Sequence, residues 1–432
     1  MTSYHIWTVG CQMNEADSER LASALDQLDC TPSPKVNDAD IIVLNSCVVR
    51  QGVEDKVSGR LDSLKPLKKA NPDRIITLMG CMVGPKTDEL KSRFSHVDLF
   101  MRPQVYDPLL DLVAQREGKC LDNIGPLISS HPRISTHIPI IHGCDKFCTF
   151  CIIPYRRGRE RSRPIEELAT ETRALVRRGV KEVTLLGQNV DSYGHDLLDK
   201  PDLADLLTEL NEVEGLQRIR FLTSHPNDMS QKLIDAVAEL DKVCEHINLP
   251  VQAGDDEVLK VMRRGYSAND YRELVGRIRT TIPGVSMSTD IIVGFANETE
   301  GQFQHTVDLL EEVRFDKVHV APYSVRPGTI AFRKIADDLN QDEKMRRLHV
   351  IEEVQERIAG EINAELLGTI QEVLVEGQRK GKWQGRTRTN KLVFFPDEGD
   401  RQGQLVDVKI EKATPWSLQG SPAEVYAGAI TG

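Results

Sequence analysis

Short apolar runs alternate with helical stretches over the first part of the chain. The runs are brief and rich in β-branched side chains, which is typical of buried parallel strands. They cover residues 5–9, 41–44 and 75–79. After the first run, Leu21, Leu25 and Leu28 recur on one face of a helix. Because strands that alternate with helices pack as a covered parallel sheet, the pattern predicts an N-terminal α/β domain over residues 1–130.

The same alternation resumes in the middle of the chain and repeats six times. The strand-like runs cover residues 138–141, 183–186, 219–222, 247–251, 287–293 and 318–322. Helical stretches such as 165–178 and 270–280 separate them. Six such units predict a parallel (βα)6 partial barrel over residues 131–367. In folds of this kind the reactive groups lie at the C-terminal ends of the strands.

A long amphipathic helix precedes a change of pattern near the C-terminus. Its apolar residues recur every three or four positions, at Met345, Leu348, Ile351, Val354, Ile358 and Ile362. Gly368 stands where such a helix ends. Short strand-like runs follow at residues 370–375, 391–395 and 405–410. They predict a small antiparallel β-barrel over residues 368–432, so that the chain as a whole is of the α/β class.

The composition narrows the class of protein further. Of 432 residues, 40% are hydrophobic and 28% charged, as in ordinary globular proteins. No apolar run reaches the roughly 18 residues of a membrane span, and residues 1–7 lack the features of a signal peptide. We therefore expect a cytoplasmic protein with no membrane partner. In that reducing compartment nine cysteines are metal ligands, catalytic thiols or buried apolar residues rather than disulfides.

Three cysteines stand close together after the first run of the middle domain. Cys144, Cys148 and Cys151 have the spacing CxxxCxxC, and each thiolate of such a loop can bind one iron of a four-iron cluster. Since no fourth cysteine is near in sequence, one iron stays open, as in reactive metal centres. The alternative is a zinc site with His142 as the fourth ligand.

Three further cysteines follow the three predicted strands of the N-terminal domain. Cys11, Cys47 and Cys81 each come directly after an apolar run. If the strands are parallel, the three thiols emerge at one edge of the sheet, where α/β sheets bind ligands. A second three-cysteine cluster site is therefore expected, and three buried apolar cysteines are the alternative. The remaining cysteines, Cys30, Cys120 and Cys244, lack this placement and are interpreted as structural.

The CxxxCxxC loop, with an aromatic residue before its last cysteine, resembles the radical S-adenosylmethionine (SAM) superfamily. The resemblance implies that SAM binds the open iron, and that one electron splits it into methionine and a 5′-deoxyadenosyl radical. A donor such as flavodoxin or ferredoxin is implied with it. Residues that end successive strands are then expected to contact the cofactor, although such residues are often only turns or caps. These residues are Gly187, Gln188, Ser224, Gln252, Asp290 and Gly294.

Two cysteine sets in this order resemble the methylthiotransferases over essentially the whole chain. The matching sequence segments lie at residues 10–14, 45–50, 80–82, 143–163, 249–254 and 323–329. This family replaces a C–H bond by a C–S–CH₃ group. The resemblance implies two 4Fe-4S clusters, with the one on Cys11, Cys47 and Cys81 carrying the sulfur. One SAM methylates that sulfur and a second SAM supplies the radical.

Basic residues are concentrated near the C-terminus, although the net charge of the chain is −11. The stretch 379–391 contains no acidic residue, and Trp383 within it could stack on a base. A second basic run, at residues 156–163, follows the cysteine loop. Either run could be a solvated face, but phosphate contacts need such clusters. The expected RNA-binding residues are Arg379, Lys380, Lys382, Trp383, Arg386, Arg388 and Lys391.

The small terminal barrel resembles the TRAM module, an RNA-binding addition, and the closest subfamily is the tRNA methylthiotransferases of the MiaB type. The resemblance implies that C2 of N6-isopentenyladenosine, beside the anticodon in the tRNA anticodon stem-loop, is modified. Such a base is accessible in a single-stranded loop. Alternatives in the same family act on a ribosomal-protein aspartate or on threonylcarbamoyl-adenosine in tRNA. A non-catalytic electron-transfer or scaffold protein with two clusters is the alternative from another class.

Overall fold

Three regions of regular structure follow one another in the computed structural model, which describes residues 2–48, 51–121, 124–129 and 132–423. The last nine residues of the predicted C-terminal domain lie outside these ranges. Within them, no helix is both long and apolar enough to cross a membrane. The mixed α/β class predicted from the sequence is confirmed.

A five-stranded parallel sheet forms the N-terminal region, in the strand order β2-β1-β3-β4-β5. Its strands are β1 Ser3–Val9, β2 Thr31–Pro32, β3 Ile41–Ser46, β4 Ile75–Gly80 and β5 Leu99–Met101. Its helices are α1 Gln12–Gln27, α2 Gln51–Ala70, α3 Asp88–Arg93 and α4 Asp107–Glu117. Alternate residues of β3 pack into two apolar clusters, Ile41 and Val43 into one and Ile42 and Leu44 into the other. The central strands are therefore buried on both faces, as their apolar sequence predicts.

Six parallel strands form a partial barrel in the middle of the chain. The six barrel strands are β6 Ser135–Pro139, β9 Glu182–Leu186, β10 Arg218–Phe221, β11 His246–Asn248, β12 Ser286–Val293 and β13 Lys317–Pro322. Two short strands, β7 Ile141–His142 and β8 Arg161–Ser162, form a separate antiparallel pair. Its helices are α5 Ile153–Arg157, α6 Ile165–Arg177, α7 Leu203–Asn211, α8 Gln231–Glu239, α9 Asp256–Met262, α10 Ala268–Thr281, α11 Glu300–Val313 and α12 Ile330–Lys334. The sheets β10-β9-β6 and β11-β12-β13 are joined by a bridge between Ile219 and Val243 and by the hydrogen bond from Ser224 N to Asn248 O (3.0 Å). The predicted partial barrel is thereby confirmed.

The long helix α13, Gln341–Ala364, leads into a closed five-stranded barrel with the order β14-β15-β16-β18-β17. The strands are β14 Ile370–Arg379, β15 Lys382–Thr387, β16 Leu392–Phe395, β17 Leu405–Ala413 and β18 Leu418–Pro422. All pairs are antiparallel except β16 with β18. Two strands, β15 and β18, were not expected, because their buried positions hold small or polar residues such as Gly385 and Thr387. An apolar-run criterion misses strands of this kind.

Arginine side chains fasten the terminal barrel to the partial barrel. Arg220 on β10 donates to the carbonyl oxygens of Thr387 and Arg388, both at 2.7 Å. In return, Arg388 donates to the Val243 carbonyl (2.6 Å) and pairs with Glu245 (2.7 Å). These bonds satisfy buried backbone acceptors as well as charges, so the two regions form one packed joint.

Candidate active site

Three cysteines of the N-terminal region lie side by side at the C-terminal edge of its sheet; we call them the auxiliary set, Cys11, Cys47 and Cys81. Cys11 caps the N-terminus of α1. The Cys47 N–H donates to the Val9 carbonyl (2.9 Å) and the Cys81 N–H to the Ser46 carbonyl (2.8 Å). The hydrogen-bonding ladder of the sheet therefore continues through the cysteines and aligns them across three neighbouring strands.

Glycines let these backbones approach closely. Gly80 has a φ of +104°, and a Cβ there would lie 2.4 Å from the Ser46 carbonyl oxygen. A Cβ on Gly10 would lie 3.0 Å from that of Cys47. Residues with a side chain would push the strand ends apart. The close approach of the auxiliary set thus depends on glycine at both positions.

The auxiliary set shares one buried electrostatic environment. The pKa of the Cys81 thiol is raised to about 11, chiefly by burial; the charge of Arg157 lowers it, and the neighbouring thiols Cys47 and Cys11 raise it. A bound metal would deprotonate such thiols outright. The set therefore has the chemistry, and the convergence, of ligands for an iron–sulfur cluster.

The second group, which we call the radical set, is Cys144, Cys148 and Cys151 on the loop between β7 and α5. The Cys144 N–H donates to the Gly158 carbonyl (3.1 Å), and the Cys151 N–H donates to that of Cys148 (3.0 Å). Gly143 has a φ of +75°, and a Cβ there would lie 2.1 Å from a backbone oxygen. Burial raises the pKa of Cys144 to about 11 and that of Cys151 to about 12. The loop is tight and backbone-bonded, as a three-thiolate cluster loop must be.

A buried arginine supports the radical set, and no sequence pattern predicted it. Arg264 donates to the Cys148 sulfur (3.4 Å) and to the Pro250 carbonyl (2.8 Å). It lies just beyond α9, more than a hundred positions from Cys148, so that neither spacing nor periodicity links the two residues. A guanidinium at this place would offset the negative charge of thiolates.

His142, the fourth ligand of the zinc alternative, has a protein partner in the structure. His142 bonds to Gln104 through Nδ1, and burial together with Arg157 lowers its pKa to about 3. Across the described ranges, no three His, Cys, Asp or Glu side chains are grouped so as to hold one metal ion. A four-iron cluster places each thiolate on a different iron and accepts a wider spacing. A cluster on these three cysteines stays the prediction for this loop, and a zinc site would have to displace the bond between His142 and Gln104.

Residues predicted to contact the cofactor follow the ends of neighbouring barrel strands. Gly187 and Gln188 come directly after β9. A Cβ on Gly187 would lie 2.5 Å from the Ile141 side chain, and the Gln188 Oε1 is buried with no hydrogen-bond donor among the described residues. An unsatisfied buried acceptor of this kind is stabilised by a ligand donor. The position suits the amino group of a bound amino-acid moiety.

The other predicted contacts have protein partners. Ser224 donates to Asp191 (2.9 Å), whose pKa is raised to about 7 by burial. Gln252 has a φ of +76° and pairs with β12. Asp290 accepts a hydrogen bond from an asparagine amide of the neighbouring strand (3.4 Å). Gly294, with a φ of +66°, donates its N–H to Glu298 (2.7 Å).

A polar network beside the radical set was also missed. Lys146, within the cysteine loop, pairs with Asp228 (2.7 Å), which also accepts a hydrogen bond from Asn189 (2.6 Å). Asn189 belongs to the segment that carries Gln188. The loop and the strand end are therefore locked together by side chains that no sequence motif marks.

Comparison with known sequences covers the three regions in turn. The Radical SAM superfamily matches residues 138–310, the Uncharacterized protein family UPF0004 matches residues 3–102, and the TRAM domain matches residues 364–423. A protein of Dehalococcoides mccartyi named tRNA-2-methylthio-N(6)-dimethylallyladenosine synthase is 51% identical over 425 residues, which is 98% of this chain and 99% of the relative. One of the same name from Herpetosiphon aurantiacus is 50% identical over 423 residues, 97% of each chain.

The chain belongs to the tRNA-2-methylthio-N(6)-dimethylallyladenosine synthase family.

The synthase is therefore a radical SAM methylthiotransferase that works with SAM and two 4Fe-4S clusters. Among solved structures, the radical SAM methyltransferase TsrM from Kitasatospora setae matches with a TM-score of 0.57 at 13% identity, covering 86% of this chain and 78% of that one. The cobalamin-dependent SAM radical enzyme OxsB matches with a TM-score of 0.52 at 13% identity, over 82% of this chain and 56% of that one. At such identities the likeness concerns the fold alone.

The structure divides the predicted RNA-binding residues of the synthase into two groups. Trp383 lies in the barrel core, 6% exposed, with its indole N–H donating to the Asp397 carbonyl (3.2 Å). Arg388 is held in the joint described above, and Lys391 pairs with Asp316 (2.5 Å). These three side chains are buried or already paired with protein groups, so RNA contact stays a prediction for them that the structure does not favour.

The remaining basic residues are placed differently. Arg379, Lys380 and Lys382 are exposed around the tight turn between β14 and β15, where Lys380 and Gly381 both have positive φ. Arg386 is 39% exposed, lies 3.5 Å from Glu376 and donates to Asn390. The hairpin turn therefore carries three accessible cations, which we call the basic hairpin.

Proposed function

We propose that this synthase replaces the C2 hydrogen of N6-isopentenyladenosine, beside the anticodon of tRNA, by a methylthio group, and that it does so in the cytoplasm. The observation that carries the proposal is an apolar contact between the loop of the radical set and the auxiliary set. Ile152, next to Cys151, packs in one apolar cluster with Val48 and Cys81. This contact supports a radical source and a sulfur source that act on one base in the space between the two sets, which we call the shared space.

We assign the radical set as the ligands of one cluster and the auxiliary set as the ligands of the other. With SAM bound, the first cluster would supply the electron that cleaves SAM to a carbon radical, and the second would supply the sulfur. The chain's own residues hold this arrangement in place. Arg264 orients Cys148, while Gln188 offers an acceptor for SAM at the end of β9. An electron donor such as flavodoxin or ferredoxin completes the proposal.

Apolar side chains around the shared space keep water away from reactive species. Ile153 and Tyr155 pack against the Val48–Cys81–Ile152 cluster. Phe147, within the cysteine loop, meets Tyr155 edge to face at 6.0 Å between ring centroids. Exclusion of water protects a radical from side reactions. The apolar residues between the two cysteine sets are therefore expected to exclude water from the shared space.

Product analysis tests this function. The reconstituted synthase is incubated with SAM, a reductant and tRNA that carries N6-isopentenyladenosine, and the nucleosides are then separated and weighed by mass spectrometry. We expect the methylthio derivative of that nucleoside to form, and tRNA that lacks the isopentenyl group to stay unmodified. Methylthiolation only of threonylcarbamoyl-adenosine, or only of a ribosomal-protein aspartate, would overturn the proposed substrate.

The basic hairpin is expected to grip the phosphate backbone of tRNA. Replacing Arg379, Lys380 and Lys382 together by Ala should weaken tRNA binding. It should also flatten the dependence of log affinity on log salt by about one unit for each lost contact. Fluorescence anisotropy over a salt series measures both quantities, and cleavage of SAM without tRNA should be unchanged.

Lys409 and Lys412 on β17 provide the matched control for the basic hairpin, because they are exposed on another strand of the same barrel. Their double Ala variant should keep most of the affinity and of the salt slope. Equal losses in both variants would instead indicate that the whole barrel contributes only a diffuse charge. If the hairpin variant kept the affinity and the salt dependence of the parent protein, the basic hairpin would not be an RNA contact.

A further inference from the structure

The side chain of Arg157 crosses from the radical loop to the auxiliary set. Arg157 is the last residue of α5, and the carbonyl of the next residue, Gly158, accepts the N–H of Cys144 (3.1 Å). Its backbone therefore belongs to the loop that carries the radical set. Its guanidinium lies beside the Cys81 thiol and in the electrostatic field of Cys11. One residue thus reaches both cluster sites.

The two terminal nitrogens of this guanidinium, which we call its two arms, differ in their hydrogen bonding. Nη2 donates to Asp17 on α1 (3.0 Å), and the two side chains are only 2% and 0% exposed. Asp17 also accepts a hydrogen bond from Gln104 (3.2 Å), which fixes the carboxylate from its other side. Nη1 is buried and has no acceptor among the described residues. A buried charged donor without an acceptor is unfavourable unless a further group supplies one.

We propose that Arg157 is a positioning residue of the auxiliary cluster, and that its free arm donates to the Cys81 thiolate or to an adjoining cluster sulfide. The inference rests on the proposed role of the auxiliary set as cluster ligands. Hydrogen bonds to the sulfurs and the local net charge set the potential of an iron–sulfur cluster. A cation at this place stabilises the more negative, reduced form. Arg157 therefore raises the potential of the auxiliary cluster and holds it in register with the radical loop.

The test measures potential and iron retention rather than turnover. It uses full-length protein in which the radical set is replaced by Ala, so that only the auxiliary cluster gives a spectroscopic signal. Arg157→Lys keeps a cation for Asp17 but loses the second arm. We expect a more negative midpoint in a redox titration followed by electron paramagnetic resonance, with altered g values. Iron should also be lost faster to a chelator.

A second variant covers the case in which Lys is not accommodated. Arg157→Met combined with Asp17→Asn removes both buried charges and the donor to sulfur, and neutral replacement of a buried pair is often tolerated. It should shift the midpoint in the same direction. Arg161→Gln removes an exposed cation of the same basic run and should leave the potential and the chelation rate unchanged.

The possible failures are distinguishable. If the auxiliary cluster is present but both Arg157 variants match the parent in potential, spectrum and chelation rate, the positioning role is overturned while the proposed function stands. If protein with an Ala-substituted radical set binds no iron, the auxiliary set holds no cluster, and both proposals fall together.

Discussion

Cys148→Ala is expected to abolish the reductive cleavage of SAM by this synthase. The thiol is buried and receives a hydrogen bond from Arg264, so that its loss removes both an iron ligand and the partner of a buried cation. Without the cluster on the radical set, no group on the protein delivers an electron to SAM. The measurement is the 5′-deoxyadenosine formed per protein under reducing conditions, separated by liquid chromatography.

Cys244→Ala is the control for this loss. Cys244 is as buried as Cys148 but belongs to neither cysteine set, and its replacement should leave cleavage close to that of the parent protein. Iron content should fall from about eight to about four per chain in the Cys148 variant and remain near eight in the control. Normal cleavage by a folded Cys148→Ala protein would rule out the radical set as the ligands of the electron-donating cluster.

Cys47→Ala is expected to separate the two halves of the reaction. The variant should still cleave SAM, because the radical set is intact, yet form no methylthio product, because the auxiliary set has lost a ligand. Iron should again fall to about four per chain. The methylthio product and 5′-deoxyadenosine are measured in the same reaction, so that their ratio shows whether SAM cleavage continues without sulfur insertion.

Gly80→Ala tests the same separation of SAM cleavage from sulfur insertion without replacing a cysteine. Its Cβ would meet the Ser46 carbonyl oxygen at 2.4 Å, in a backbone region that favours glycine, so that the strand end carrying Cys81 must shift. The variant should resemble Cys47→Ala, whereas Gly59→Ala, on α2 with open space around it, should behave as the parent. Loss of SAM cleavage in a folded Cys47→Ala protein would contradict separate roles for the two sets.

The convergence of Cys11, Cys47 and Cys81 was predictable because one physical rule covers it. Parallel strands end at the same edge of a sheet, so residues that follow three such strands meet wherever they lie in the sequence. The same rule placed Gln188 at the end of β9 and Gly294 at the end of β12. Apolar runs of β-branched residues identified those strands because burial on both faces leaves no room for polar positions.

The contacts of Arg264, Asp228 and Arg388 could not be found in this way. Each depends on a partner that lies far away in sequence and is brought near only by the packing of whole elements. Arg388 illustrates the difficulty, since an acid-free basic stretch resembles an RNA-binding surface until the docking of the barrel pairs that side chain with Glu245. Charge along a sequence shows where cations are, whereas their partners are set by tertiary structure.

The arginine joint between the two barrels has a mechanical consequence. Arg218, fully buried on β10, donates to the Arg386 carbonyl (2.6 Å) and pairs with Glu372 (2.7 Å), next to the bonds of Arg220 described above. With the backbone of β15 held at several points, the basic hairpin cannot swing relative to the cysteine loops. These bonds therefore fix the distance between the basic hairpin and the cysteine loops. We therefore expect the RNA to supply any bending that brings a base from its stack to the radical, so that anticodon arms that deform easily are modified faster.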